Sequence, residues 1–196
     1  MALSAGNVRV GVTGSIAIAP ENTVDPGDAT SALIAPWVSV GYLSEDGVVE
    51  ANSIESDDIK AWQNAEIVRK VITSKETTYG FTMIETNADA LALFYGKTII
   101  ATDVSHVIGG DSTARYAVCL TIVDGTEVIR RWIPSAEVTE QGEVTFGSTD
   151  AAGYEVTMTA YPVSDVDGLG ATGVAVAYYS TALVSGGVPI DPTGGA

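Results

Sequence analysis

Short runs in which apolar and polar residues alternate recur along this chain, separated by turns rich in Gly, Asp and Pro. That is the pattern of an all-β sandwich or barrel. Tyr154–Ala160 alternates most cleanly and places Tyr154, Val156, Met158 and Ala160 on a buried face. Thr77–Glu85 puts Tyr79, Phe81 and Met83 on one face and Thr78 and Thr82 on the other. Residues 115–123 and 126–133 flank Asp124-Gly125, a pair that accepts the positive φ angles of a two-residue type I′ turn. Such a turn predicts a hairpin in which Leu120 faces Ile129 and Tyr116 faces Ile133. Arg131 falls on that apolar side, which leaves either a side chain snorkelling at a rim or a bulge in the second strand. Further strands are predicted at 37–43, 48–51, 67–72, 99–108 and 174–183, the last after a long turn over 164–173.

One helix interrupts this pattern. Asn87 is its N-cap, Asp89 sits in the first turn, residues 88–95 propagate it and Gly96 ends it in the left-handed conformation. Leu91, Phe94 and Tyr95 fall at helical spacing and are expected to pack on the sheet. Residues 185–196 are rich in Gly and Pro and read as a flexible tail following one β domain over 1–184. No internal repeat is visible.

The segment ESDDIKAWQNA, residues 55–65, fits neither period. It reads as a long acidic loop between two strands, with at most a turn or two of helix that would place Ile59 and Trp62 on one small apolar face.

Composition narrows the possibilities. The chain has 196 residues, 46% of them hydrophobic and only 17% charged, which is enough to bury a core and excludes a disordered chain. It carries 25 acids against 9 bases, a formal net charge of -16. A surface of that sign repels phosphates, so specific nucleic-acid binding is not expected. Cys119 is the one cysteine, so no internal disulfide forms. The opening MALSAGNVRVGV has no charged segment followed by an apolar run of signal-peptide length, and no run of 18 apolar residues occurs, so assembly in the cytoplasm without a membrane is the expectation.

The residues of catalysis are sparse. His106 is the only histidine, and Ser105 beside it points the other way on a strand, so it reads as a strand-end or loop histidine. One His and one Cys make no transition-metal ligand set. Asp165-Val-Asp-Gly168 lacks the third acid and distal Glu of a calcium loop and reads as a hairpin turn. Gly11-Val-Thr-Gly14 and Gly109-Gly110 are not followed by the Lys-Ser/Thr of a phosphate loop, and the adjacent acids Asp57-Asp58 fix no glycosidase spacing. No enzyme, cofactor or metal site is expected.

Several segments in order do carry a resemblance. They are Val8–Gly14 with Ala17–Pro20, Trp37–Val48 containing Gly-Tyr-Leu-Ser-Glu-Asp-Gly, Asp57–Trp62, and Tyr79–Asn87 followed by the helix. Together they resemble the major tail proteins of long, non-contractile-tailed bacteriophages, particularly those infecting actinobacteria. The resemblance implies a mainly β fold of the tail-tube type, a β-sandwich or barrel with one flanking helix. It also implies hexameric rings stacked into a hollow tube that surrounds the tape-measure protein and later conducts DNA. The implied partners are further copies of the chain, the tape-measure protein, the tail terminator and distal tail or baseplate proteins. The implied location is the virion tail.

On that reading residues 51–64 form an arm reaching a neighbouring subunit, with Glu55, Asp57, Asp58, Ile59, Lys60 and Trp62 as its contact residues and Trp62 as the anchor. Acids lining the lumen would keep DNA phosphates from dwelling. The alternatives are a tube subunit of a contractile tail or tail-like bacteriocin and, in a different class, an Ig-like surface or adhesion module.

Overall fold

The computed structural model describes residues 8–96, 114–148, 151–163 and 175–181. Its elements are β1 (Thr13–Pro20), β2 (Val38–Ser39), β3 (Leu43–Lys60), β4 (Ile67–Met83), α1 (Ala88–Tyr95), β5 (Arg115–Asp124), β6 (Glu127–Gln141), β7 (Tyr154–Ala160) and β8 (Ala177–Ser180). All pairings are antiparallel, in one eight-stranded sheet of order β2-β1-β5-β6-β7-β4-β3, with β8 added along β6. The mainly β architecture and the single flanking helix agree with the sequence reading.

The sheet curls so that its two ends are linked by one short segment. Val38 and Ser39 pair with β1, Val40 N–H donates to the Ile16 carbonyl, and Leu43 already pairs with Met83 of β4. Gly41 makes this crossing possible. Its φ is +92°, and a Cβ there would lie 2.3 Å from Glu85 Oε2, an oxygen that accepts the Tyr42 N–H at 3.0 Å. Inside the curl, Ile16, Tyr79, Phe81, Met83, Val118, Leu120, Ile133, Val156 and Met158 are buried together. The opposite face of β5 and β6 carries a smaller cluster of Trp132 and Ala177 against Trp37, Val163 and Tyr179.

Helix α1 is capped as its sequence requires. Asn87 accepts the Ala90 N–H at 2.7 Å, and Gly96 at φ +66° returns its N–H to Ala92. Ala90, Leu93 and Phe94 are buried, while the expected contacts Leu91 and Tyr95 pack only partly, because the stripe rotates one position from the apolar residues read in sequence. Phe94 meets Tyr154 edge-on at 5.4 Å, which seats the helix on the end of β7.

Several boundaries differ from the sequence reading. The hairpin of β5 and β6 turns through Gly125-Thr126, with Asp124 opposite Glu127, so Leu120 faces Arg131 and Ile122 faces Ile129. Gly125 alone takes a positive φ, +61°; β-branched Thr126 avoids the second positive φ a type I′ turn would demand. The register thus moves by two residues and keeps the same faces. Strand β6 also continues past Ile133 through Pro134, where a bulge opposite Tyr116 and Val118 absorbs the missing N–H. Beyond it, β6 trades β8 for β7 as its neighbour. The strand expected at 37–43 shrinks to β2 and the start of β3, and 67–72 merges with 77–83 into β4. Residues 99–108, His106, the turn at 165–168 and the tail 185–196 lie outside the described residues.

Candidate assembly surface

Beyond the point where β7 stops supporting it, β4 is paired by β3 alone. The β4–β7 ladder runs from Thr77–Ala160 to Met83–Tyr154, whereas the β3–β4 ladder continues outward to Lys60–Ile67. The result is a two-stranded ribbon over 52–76. Asn52 to Lys60, eight steps at about 3.3 Å each, projects about 26 Å from the body.

This corrects the expected loop with a helical turn. Residues 55–60 are strand; Ile59 lies within the ribbon opposite Arg69, and Trp62 sits in the tip turn, so the two share no helical face. The sequence does not alternate here because neither side of the ribbon is covered by the body, and no core selects one face. The tip closes with the Ala61 N–H on the Glu66 carbonyl at 2.8 Å and with Asn64 and Ala65 at positive φ.

All six predicted arm residues therefore lie on this one projection. Glu55 accepts the Ser74 hydroxyl at 3.1 Å, and Asp58 pairs with Lys70 at 3.6 Å. Asp57 stands opposite Val71. Trp62 is 97% exposed, the most exposed of the large apolar side chains described. Ile54, Ile59, Ile67, Val68 and Ile72 are exposed as well. A side chain as large as indole, left almost wholly in solvent at the tip of a two-stranded projection, has the form of an interface anchor.

The root of the arm is fixed by groups that sequence reasoning did not assign. Glu50 of β3 stands opposite Tyr79 of β4 and accepts the Arg131 Nε at 3.0 Å. The same guanidinium lies 3.9 Å from the centre of the Tyr178 ring. Arg131 thus occupies the rim of the apolar face, in register and without a local bulge. Burial would raise the Glu50 carboxyl, but the hydrogen bond and charge of Arg131 outweigh it and hold Glu50 below its ordinary value. Burial, then the Glu50 charge, pushes the Tyr79 phenol well above its ordinary value. Arg131 at a position expected to be apolar was the available signal.

No group of three or more His, Cys, Asp or Glu able to hold a metal occurs among the described residues, and no described helix is long and apolar enough to cross a membrane.

A family model described as phage tail tube protein matches residues 1–170. The chain belongs to the phage tail tube protein family. That is a family of structural proteins of the virion tail and not an enzyme family. Among solved structures, the tail of an empty GTA particle refined with C6 helical symmetry is similar at a TM-score of 0.38 and 11% identity, over 90% of this chain and 98% of that one. No curated protein matches.

Proposed function

We propose that this chain is the repeating subunit of a long, non-contractile phage tail tube, assembled in the host cytoplasm, and that the arm completes contacts between copies. Subunits close into hexameric rings, the rings stack around the tape-measure protein, and the finished tube conducts DNA. A tail terminator and distal tail or baseplate proteins meet its ends. The observation that carries the reading is the arm, with Trp62 fully exposed at its tip in a member of the tail tube family. A ribbon about 26 Å long that contributes nothing to its own core is explained when a second copy covers it. The acid excess supports a lumen that phosphates pass without dwelling.

Negative-stain imaging of the purified chain at high concentration tests this. Hollow rings or tubes are expected, and persistent monomers would overturn the reading. Trp62→Ala is expected to leave the monomer folded by circular dichroism and abolish tubes. Tubes formed equally well by the variant would remove the arm from the interface.

A further inference from the structure

The two faces of the arm carry opposite charge. Residues directly opposite each other in an antiparallel ladder share a face. Ile54 pairs with Lys75, Ser56 with Ile72, Asp58 with Lys70 and Lys60 with Ile67, so one face holds three Lys against one Asp, interleaved with three Ile. On the other face Ser53 pairs with Glu76, Glu55 with Ser74, Asp57 with Val71 and Ile59 with Arg69, giving three acids against one Arg. Two irregularities interrupt this ladder, between Glu55 and Ser56 and between Ile59 and Lys60; in each the extra residue, Thr73 or Val68, falls in β4, so alternation along β3 is unbroken and the two sets stay on opposite sides.

This segregation stands against the rest of the chain. Residues 51–76 hold four of the nine bases, Lys60, Arg69, Lys70 and Lys75, and five of the 25 acids, leaving 20 acids and five bases elsewhere. Ile54, Ile67 and Ile72, exposed at 62%, 55% and 54%, lie on the basic face. An apolar row flanked by Lys on an otherwise acidic molecule is complementary to an acidic surface. The acidic surface that every assembly of this chain supplies is another copy's body.

We propose that the arm docks one way up, its Lys60–Lys70–Lys75 face with Ile54, Ile67 and Ile72 lying on the acidic body of a second copy, and its Glu55–Asp57–Glu76 face turned away. The opposite charges fix the orientation, since the reversed ribbon would set acid on acid. This rests on the arm being an inter-subunit contact and adds which side of it makes that contact.

The test compares K60Q/K70Q/K75Q with E55Q/D57N by sedimentation across protein concentration at low and high salt, after circular dichroism confirms both fold. Removing the Lys is expected to raise the concentration for half-assembly about tenfold at low salt and to flatten its salt dependence. Neutralising the acids is expected to leave assembly unchanged. Equal effects of the two variants, or an effect of E55Q/D57N alone, would overturn the orientation. Assembly lost in Trp62→Ala but retained in the Lys variant would overturn this inference while leaving the arm reading intact. Wild-type monomers that retard a duplex DNA probe through the same Lys would assign the face to nucleic acid and overturn it too.

Discussion

Arg131 Nε donates to Glu50 Oε2 at 3.0 Å, and through that bond strand β6 holds the strand from which the arm departs. Glu50 faces Tyr79 of β4, and Arg131 covers Tyr178 of β8, so four strands meet at one guanidinium. Both partners are partly open, at 22% and 34% side-chain exposure, which limits what the pair contributes to about 1 kcal/mol, with a similar amount from the ring contact. Arg131→Met is accordingly expected to cost about 1–2 kcal/mol in denaturant unfolding. Its larger effect is on the angle of the arm, seen as altered ring or tube dimensions in images of the variant.

The same pair predicts an acid dependence. Glu50 is held below its ordinary value of 4.5, so its unfolded form takes up a proton more readily than its folded form. The stabilisation is therefore complete above about pH 4.5 and fades as pH falls through the folded value. Glu50→Gln lacks this contribution. Between pH 7 and pH 3.5 the wild type is expected to lose more unfolding free energy than the variant, and parallel losses would show that the pair is uncoupled from folding.

Gly41 sets the seam of the curled sheet. At φ +92° a side chain is strained, and the Cβ of an alanine would meet the Glu85 carboxylate that binds the Tyr42 N–H. Gly41→Ala should cost about 2–3 kcal/mol. Gly27, also at positive φ but with nothing within 4 Å of a Cβ, should cost about 1 kcal/mol in Gly27→Ala. Thermal unfolding of the two variants checks the ranking; equal losses would mean that the close approach at Glu85 relaxes without cost.

The core strands, the capped helix and the membership of the fold class were legible in sequence because each follows a local rule. Alternation at Tyr154–Ala160 and at Tyr79–Met83 reports burial on one face, and Asn87 with Gly96 reports the helix ends. Strand β1 escaped that logic because Ile16, Ala17, Ile18 and Ala19 are buried on both faces, which erases alternation. The arm escaped it for the opposite reason, being open on both faces. That it projects was expected from the resemblance to phage tail proteins, since the residues alone read as an acidic loop, and its ribbon form required the partner strand β4. The Glu50–Arg131 root joins residues 81 apart in sequence; Arg131 among apolar positions marked one end of it, and nothing local named Glu50 as the other.

Cys119 and Arg130 predict how tightly the second face is held. Arg130 is 5% exposed and donates to Thr121 Oγ1 and to the carbonyls of Asp28 and Ser31 at 3.2, 3.0 and 2.9 Å, fastening the 21–37 segment over β5 and β6. Arg130→Met should cost about 2–3 kcal/mol, because the carbonyls lose a charged donor. Beneath it, burial pushes the Cys119 thiol up to about 11. Native protein at pH 8 is expected to resist alkylation by a maleimide that labels it at once in denaturant. Faster labelling of Arg130→Met than of wild type would show the segment lifting, whereas rapid labelling of wild type would show that the second face is open.

Trp62 provides a direct optical report of assembly. Of the three Trp in the chain, Trp132 is buried at 1% exposure and Trp37 packs against the second cluster, so Trp62, at 97%, is the one whose surroundings change when the arm is covered. An indole in water emits at longer wavelength than one in an apolar site, because relaxed solvent dipoles lower its excited state. As concentration is raised through the assembly transition, the emission maximum is expected to shift to shorter wavelength and acrylamide quenching to fall. Both changes should be much smaller in Trp62→Phe, whose remaining indoles are buried at Trp132 and partly buried at Trp37. An unshifted spectrum in a sample that images as tubes would place the tip of the arm in solvent after assembly and move the contact down the ribbon toward Ile54 and Ile72.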